Sequence, residues 1–173
     1  PSRLPHQMQW LSKHRASLLA FFVSILSAIL WVLSLPPFDY AEAAYLAFVP
    51  ILLWLYRQPS WRATIGFSFL CGCISWCTIL IWLRHVTYGG TLALSAIMAL
   101  YFVLWMCAAR WLLPVIKTSP FWPRLAYLLA LTASWILIEW LRSWLFWGFG
   151  WAPLALSQWQ RPVVLQIAAW TGS

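Results

Sequence analysis

The sequence predicts an all-α membrane protein, a polytopic bundle of about five transmembrane helices followed by the start of a sixth element. Two observations carry this. Of 173 residues, 64% are hydrophobic and 8% charged, where a soluble domain has about 25% charged. Such a chain cannot cover a water-facing surface, so lipid is the solvent for most of it. The apolar residues also fall in runs, several long enough to cross a bilayer at about 1.5 Å per residue. The net charge of +8 sits mostly in the breaks between runs, where it sets orientation and meets anionic headgroups. Membrane lipids are therefore expected partners and nucleic acid is not.

Residues 1–15 are polar and basic, with Arg3, Lys13 and Arg15, and form a cytoplasmic N-terminal segment. Residues 16–146 form the helix bundle. Ala16–Leu35 is the first span, with only serines as polar members. It is too long for a signal-peptide apolar region, and no small-residue cleavage site follows. Pro36 and Pro37 end it, since proline cannot continue a helix. Ala43–Tyr56 is apolar but short, with Pro50 as an interruption; it either crosses with a kink or partly re-enters. Ala63–Leu83 is the third span, carrying small residues (Gly66, Ser68, Gly72, Cys73, Ser75) that allow close helix approach. After a polar loop at Arg84–Gly90, Thr91–Leu113 is the fourth span. Pro114–Arg124 reads as a loop and Leu125–Phe146 as the fifth span. Residues 147–173 are an outer-face loop and the beginning of a further membrane element at Val163–Trp170.

Orientation follows from the basic residues, which gather on the cytoplasmic side of membrane proteins. With the N-terminus cytoplasmic and five crossings, Arg3, Lys13, Arg15, Arg57, Arg62, Arg110, Lys117 and Arg124 share the inner side, and Arg84, Arg142 and Arg161 the outer side. The bias requires the short second segment to cross. It gathers Pro36–Glu42, Arg84–Gly90 and Trp147–Pro162 on the outer face. Tryptophans near predicted helix ends (Trp10, Trp54, Trp61, Trp82, Trp111, Trp122, Trp144, Trp147, Trp151) read as interfacial anchors, with ring half buried and N–H wet.

Glu139 and Arg142 stand three apart on one helix face, near the outer end of the fifth span. They are either an ion pair that fixes packing or a clamp for a lipid headgroup, guanidinium being a planar fork suited to phosphate. His85 reads as a solvated loop residue, Gly89-Gly90 as a turn, and Ser157-Gln158 as hydrogen-bonding a ligand or its own loop. Cys71, Cys73, Cys77 and Cys107 lie in apolar runs without metal-ligand partners and read as soft packing residues. No Ser-His-Asp set, phosphate loop or metal spacing is present. The chain therefore offers no catalytic residues of its own, no metal site and no cofactor.

Three blocks resemble a known family: Leu33-Ser34-Leu35-Pro36-Pro37-Phe38-Asp39-Tyr40; Val86-Thr87-Tyr88-Gly89-Gly90; and Glu139-Trp140-Leu141-Arg142-Ser143-Trp144 running through Gly148-Phe149-Gly150-Trp151 to Leu156-Ser157-Gln158. In order and spacing they are similar to the N-terminal membrane part of bacterial apolipoprotein N-acyltransferase. Ser143, Gly150 and Leu156 depart from the family's usual glycine, proline and tyrosine. The resemblance implies a multi-pass inner-membrane enzyme of lipoprotein maturation that moves an acyl chain from a phospholipid donor to the N-terminal amino group of a diacylglyceryl-cysteine apolipoprotein. Family members are about three times longer and perform the chemistry in an external nitrilase-like domain through a Glu-Lys-Cys triad, by covalent catalysis; that domain has no counterpart in this chain. The membrane part is expected to position lipid substrates, with Tyr88, Glu139, Arg142, Trp144, Trp151 and Gln158 lining or ordering the mouth. A small-molecule transporter and a non-catalytic membrane scaffold are the competing classes.

Overall fold

The computed structural model describes residues 6–145 and 148–171, with side chains described between residues 14 and 166. Arg3 and Trp147, and the side chains of Trp10 and Lys13, lie outside that description. Among the described residues seven α-helices follow in order: α1 His6–Leu33, α2 Ala43–Leu46, α3 Val49–Leu55, α4 Trp61–Ile79, α5 Tyr88–Thr118, α6 Phe121–Trp144 and α7 Pro162–Thr171. Short 3₁₀ turns lie at Ile81–His85 and Leu154–Gln158. No strand occurs among the described residues. Among the described residues four helices (the His14–Leu33 part of α1, with α4, α5 and α6) are long and apolar enough to cross a membrane.

The second apolar segment is not one rod. It breaks at Ala47–Phe48 into α2 and α3. Pro50, read from the sequence as an interruption, lies just past the break, in the first turn of α3, where its missing N–H has no intrahelical partner to lose. The next free donor of that turn, Ile51 N, is met by Ser27 Oγ of α1 at 3.2 Å. A hydroxyl from a neighbouring helix thus caps α3 and fixes it to α1. The segment carries the chain from one end of the bundle to the other. Tyr45 at its start donates to Gln158 Oε1 beyond α6 (3.2 Å), and Gln58 just past its end accepts from Arg110 Nη1 late in α5 (3.1 Å).

The other boundaries shift for local reasons. Helix α1 starts at His6, inside the basic segment. Helix α5 takes in Gly89 and Gly90, which belong to its first turn rather than to a loop, and Thr87 caps it by accepting from Gly90 N (3.3 Å). It also runs through Pro114 to Thr118, so the expected Pro114–Arg124 loop shrinks to Ser119–Pro120. Arg124 closes this corner by donating to Ile116 O (3.2 Å) and Ser119 O (2.9 Å), satisfying carbonyls a helix end leaves open.

Helices α4 and α5 pack closely through the small-residue stripe. A Cβ on Gly72 would stand 2.9 Å from both the Cα and Cβ of Ala99, so only glycine permits this approach. Beside that seam, Trp31, Phe48, Trp76, Phe102, Trp105 and Trp135 form one aromatic cluster, with ring centroids 4.8 Å apart for Phe48–Trp135 and 5.1 Å for Trp31–Phe48 and Trp105–Trp135. Trp105 Nε1 donates to Leu131 O at 3.1 Å and ties α5 to α6. Tryptophan here is as much a core residue as an anchor. Trp54, expected at the interface, is 6% exposed against Phe67, whereas Trp111 and Trp122 are over 70% exposed.

Candidate functional site

The polar groups of α6 meet the following loop at one end of the bundle. Helix α6 stops at Trp144, and the chain reverses through Gly148 at φ +68°. A Cβ there would lie 2.5 Å from Ser143 O, so this left-handed turn against the helix end requires glycine. The reversal lets Phe149 N donate to Arg142 O (3.0 Å) and brings Leu154 N to Glu139 Oε1 (2.8 Å). The loop is thereby bound back onto the helix that precedes it.

The charges of Glu139 and Arg142 are near enough to interact, but no direct hydrogen bond joins the two side chains. Glu139 holds the loop backbone. Arg142 is 3% exposed, and its guanidinium carbon lies 4.8 Å from the centre of the Trp76 ring, a cation–π contact strengthened where water is excluded. Both line a small cavity with Trp31, Trp76, Tyr101 and Trp135. Two donors on its wall, Arg142 Nη1 and Trp31 Nε1, are buried without a hydrogen-bond partner. Arg142 therefore sits beneath the loop, inside the bundle, rather than in an open headgroup site.

Gln158 is a clasp. Its Nε2 donates to Ala41 O (3.1 Å) and Ser157 Oγ (3.0 Å), and its Oε1 accepts from Tyr45. Two neighbours extend the seam: Trp159 Nε1 donates to Asp39 Oδ1 (2.7 Å), and Arg161 pairs with Glu42. The loop after α6 is thus joined to the loop after α1. Trp151 stacks near Phe149 (6.5 Å), lies tilted against Trp82 (5.3 Å) and is 59% exposed. Tyr88 and Trp144 are 75% and 73% exposed. Of the six residues singled out from sequence, three are engaged by the protein and three present rings outward. Sequence reasoning missed Trp76, the platform for Arg142, and Asp39 and Glu42, the anchors of the clasp; the spacing of none of these announces its partner.

The four cysteines are free, and no group of metal-ligating side chains occurs among the described residues. Four apolar spans around an aromatic core, with their loops tied together at one end, define a polytopic helical membrane protein.

Comparison narrows the class. The family model for the apolipoprotein N-acyltransferase N-terminal domain matches residues 27–173, and the chain belongs to that family. It is 31% identical over 149 residues to an apolipoprotein N-acyltransferase of Methylococcus capsulatus, covering 80% of this chain and 28% of that protein. It is 30% identical to those of Rhizobium meliloti, covering 86% of this chain and 30% of the relative, and of Vibrio cholerae, covering 84% and 29%. The chain spans about three-tenths of the length of these curated relatives. No solved structure matches it.

Proposed function

We propose that this chain is the membrane part of an apolipoprotein N-acyltransferase of the bacterial inner membrane, with its N-terminus cytoplasmic. In the intact enzyme an acyl chain passes from a phospholipid to the N-terminal amino group of a diacylglyceryl-cysteine apolipoprotein, and this part positions the two lipid substrates. The observation that carries the reading is the pairing of a fixed loop with outward rings. Glu139 and Gln158 bind the loop after α6 to two different places in the bundle, while Tyr88, Trp144 and Trp151 stay exposed at the same end. Exposed aromatic rings suit the boundary between headgroup and acyl chain. Holding a substrate in a productive pose lowers the entropic barrier of acyl transfer without bond-making by this part. Here Tyr88, Trp144 and Trp151 contact lipid, and Glu139, Arg142 and Gln158 are positioning residues that act through the loop.

The test replaces Tyr88, Trp144 and Trp151 together by Ala in the intact gene product and measures acyl transfer to a diacylglyceryl peptide in reconstituted vesicles. Loss of ring contacts worth about 1.4 kcal/mol raises the KM for lipid substrate about tenfold, with the thermal unfolding midpoint unchanged. Unaltered kinetics in the triple variant would end the reading.

A further inference from the structure

The opposite end of the bundle carries a different chemistry. Arg57 and Arg62 flank the turn between α3 and α4, both exposed. Arg110 and Lys117 stand two turns apart on α5, and each reaches that turn. The chain has three acidic residues in all. Asp39, Glu42 and Glu139 are all engaged at the far end. The four cations therefore have no carboxylate beside them, and their counter-charge has to come from outside the chain.

Arg110 is held ready for it. Its guanidinium carbon lies 4.7 Å from the centre of the Trp61 ring, and Gln58 Oε1 accepts from Nη1 at 3.1 Å. The group is stacked on one face and held at one end, which orients its charge without neutralising it. Lys117 Nζ lies 4.9 Å from the centre of the Tyr56 ring. Arg124 behaves otherwise, its Nε and Nη2 being engaged on carbonyls at the end of α5. Just beside the cations Trp111, Phe121 and Trp122 are all at least 67% exposed, the pattern of an aromatic belt at headgroup depth with apolar helix faces below it for acyl chains.

We propose that Arg110 and Lys117, with Arg57 and Arg62, form a binding site for the phosphodiester headgroup of an anionic phospholipid in the leaflet at this end of the bundle. The Nη2 end of Arg110 takes a phosphate oxygen in a charge-assisted, directional contact. Lys117, Arg57 and Arg62 supply charge without direction. The site is separate from the acyl-transfer mouth and stands whether or not that reading holds, because its readout is the lipid retention lost when cations at this end are removed.

Native mass spectrometry of the intact protein, released from micelles doped with phosphatidylglycerol, phosphatidylcholine or inorganic phosphate, tests it. Phosphatidylglycerol is expected to be retained over phosphatidylcholine. Retention is expected to fall about fivefold for each charge removed in Lys117→Gln and Arg110→Gln, and Arg161→Gln at the far end is expected to change nothing. Lys117 is exposed, so its variant folds and keeps the test sharp if Arg110→Gln does not. Equal retention of both lipids, or undiminished retention in Lys117→Gln, would refute the site. Displacement of the lipid by millimolar inorganic phosphate would assign it to free anions instead.

Discussion

At one end of the bundle each carboxylate has a protein donor: Glu139 takes Leu154 N, Asp39 takes Trp159 Nε1, and Glu42 takes Arg161. At the other end there is no carboxylate, and Arg110 and Lys117 rest on aromatic rings. The first arrangement is closed within the chain. It joins loops that are far apart in sequence and fixes their shape independently of what surrounds them. The second is open, since rings and a single amide orient the cations but do not neutralise them. A rigid mouth suits a place where substrates must be held in register. A bare cationic rim suits a place where lipid completes the structure. Substitutions at the closed end are therefore expected to register as stability, and substitutions at the open end as lipid dependence.

The largest effect at the closed end is expected from Glu139→Ala. It strands Leu154 N, a donor in a partly buried loop, and an unsatisfied buried group costs about 1–3 kcal/mol. The thermal midpoint of the intact protein in detergent is expected to fall, and protease cutting within 148–158 to rise. If the midpoint drops while the loop stays protected, the loop is held by something other than Glu139. A smaller loss, about 1 kcal/mol, is expected from Gln158→Ala, because Trp159 and Arg161 keep parts of the same seam. Accessibility of the 39–42 loop to a membrane-impermeant label is the sharper readout there. It should increase in Gln158→Ala and stay constant in Lys117→Gln.

The long spans were legible because lipid imposes a simple rule: backbone groups must be satisfied within the helix, and side chains must be apolar for about twenty residues. Three things escaped that rule. Helix breaks depend on where a proline falls within a turn, so Pro50 and Pro114, alike in composition, open one helix and are absorbed within another. Tryptophan serves both interface and core: Trp54 and Trp111 both stand near predicted helix ends, yet Trp54 is buried and Trp111 exposed. Partners in the polar site are long-range. Gln158 meets Ala41 and Arg161 meets Glu42 across more than a hundred residues, whereas Glu139 and Arg142, spaced as a local pair, share no direct hydrogen bond. The gathering of the cations at one end, by contrast, was readable from charge counting alone, since it needs only the order of the crossings.

The smallest effect belongs to the pair that is most conspicuous as a contact. Arg161 and Glu42 form an ion pair, but their side chains are 51% and 69% exposed. Exposed pairs contribute about 0–1 kcal/mol, because solvent screens the attraction and two long side chains lose freedom. Glu42→Gln is therefore expected to shift the thermal midpoint of the intact protein by no more than about 2 °C, and raising the salt to 1 M should erase what shift there is. A larger, salt-resistant loss would mean that the pair is shielded in the membrane by lipid headgroups or by chain packed over it. The closed end would then be drier than its surface exposure indicates, and the contrast between the two ends would be one of solvent access as well as of charge.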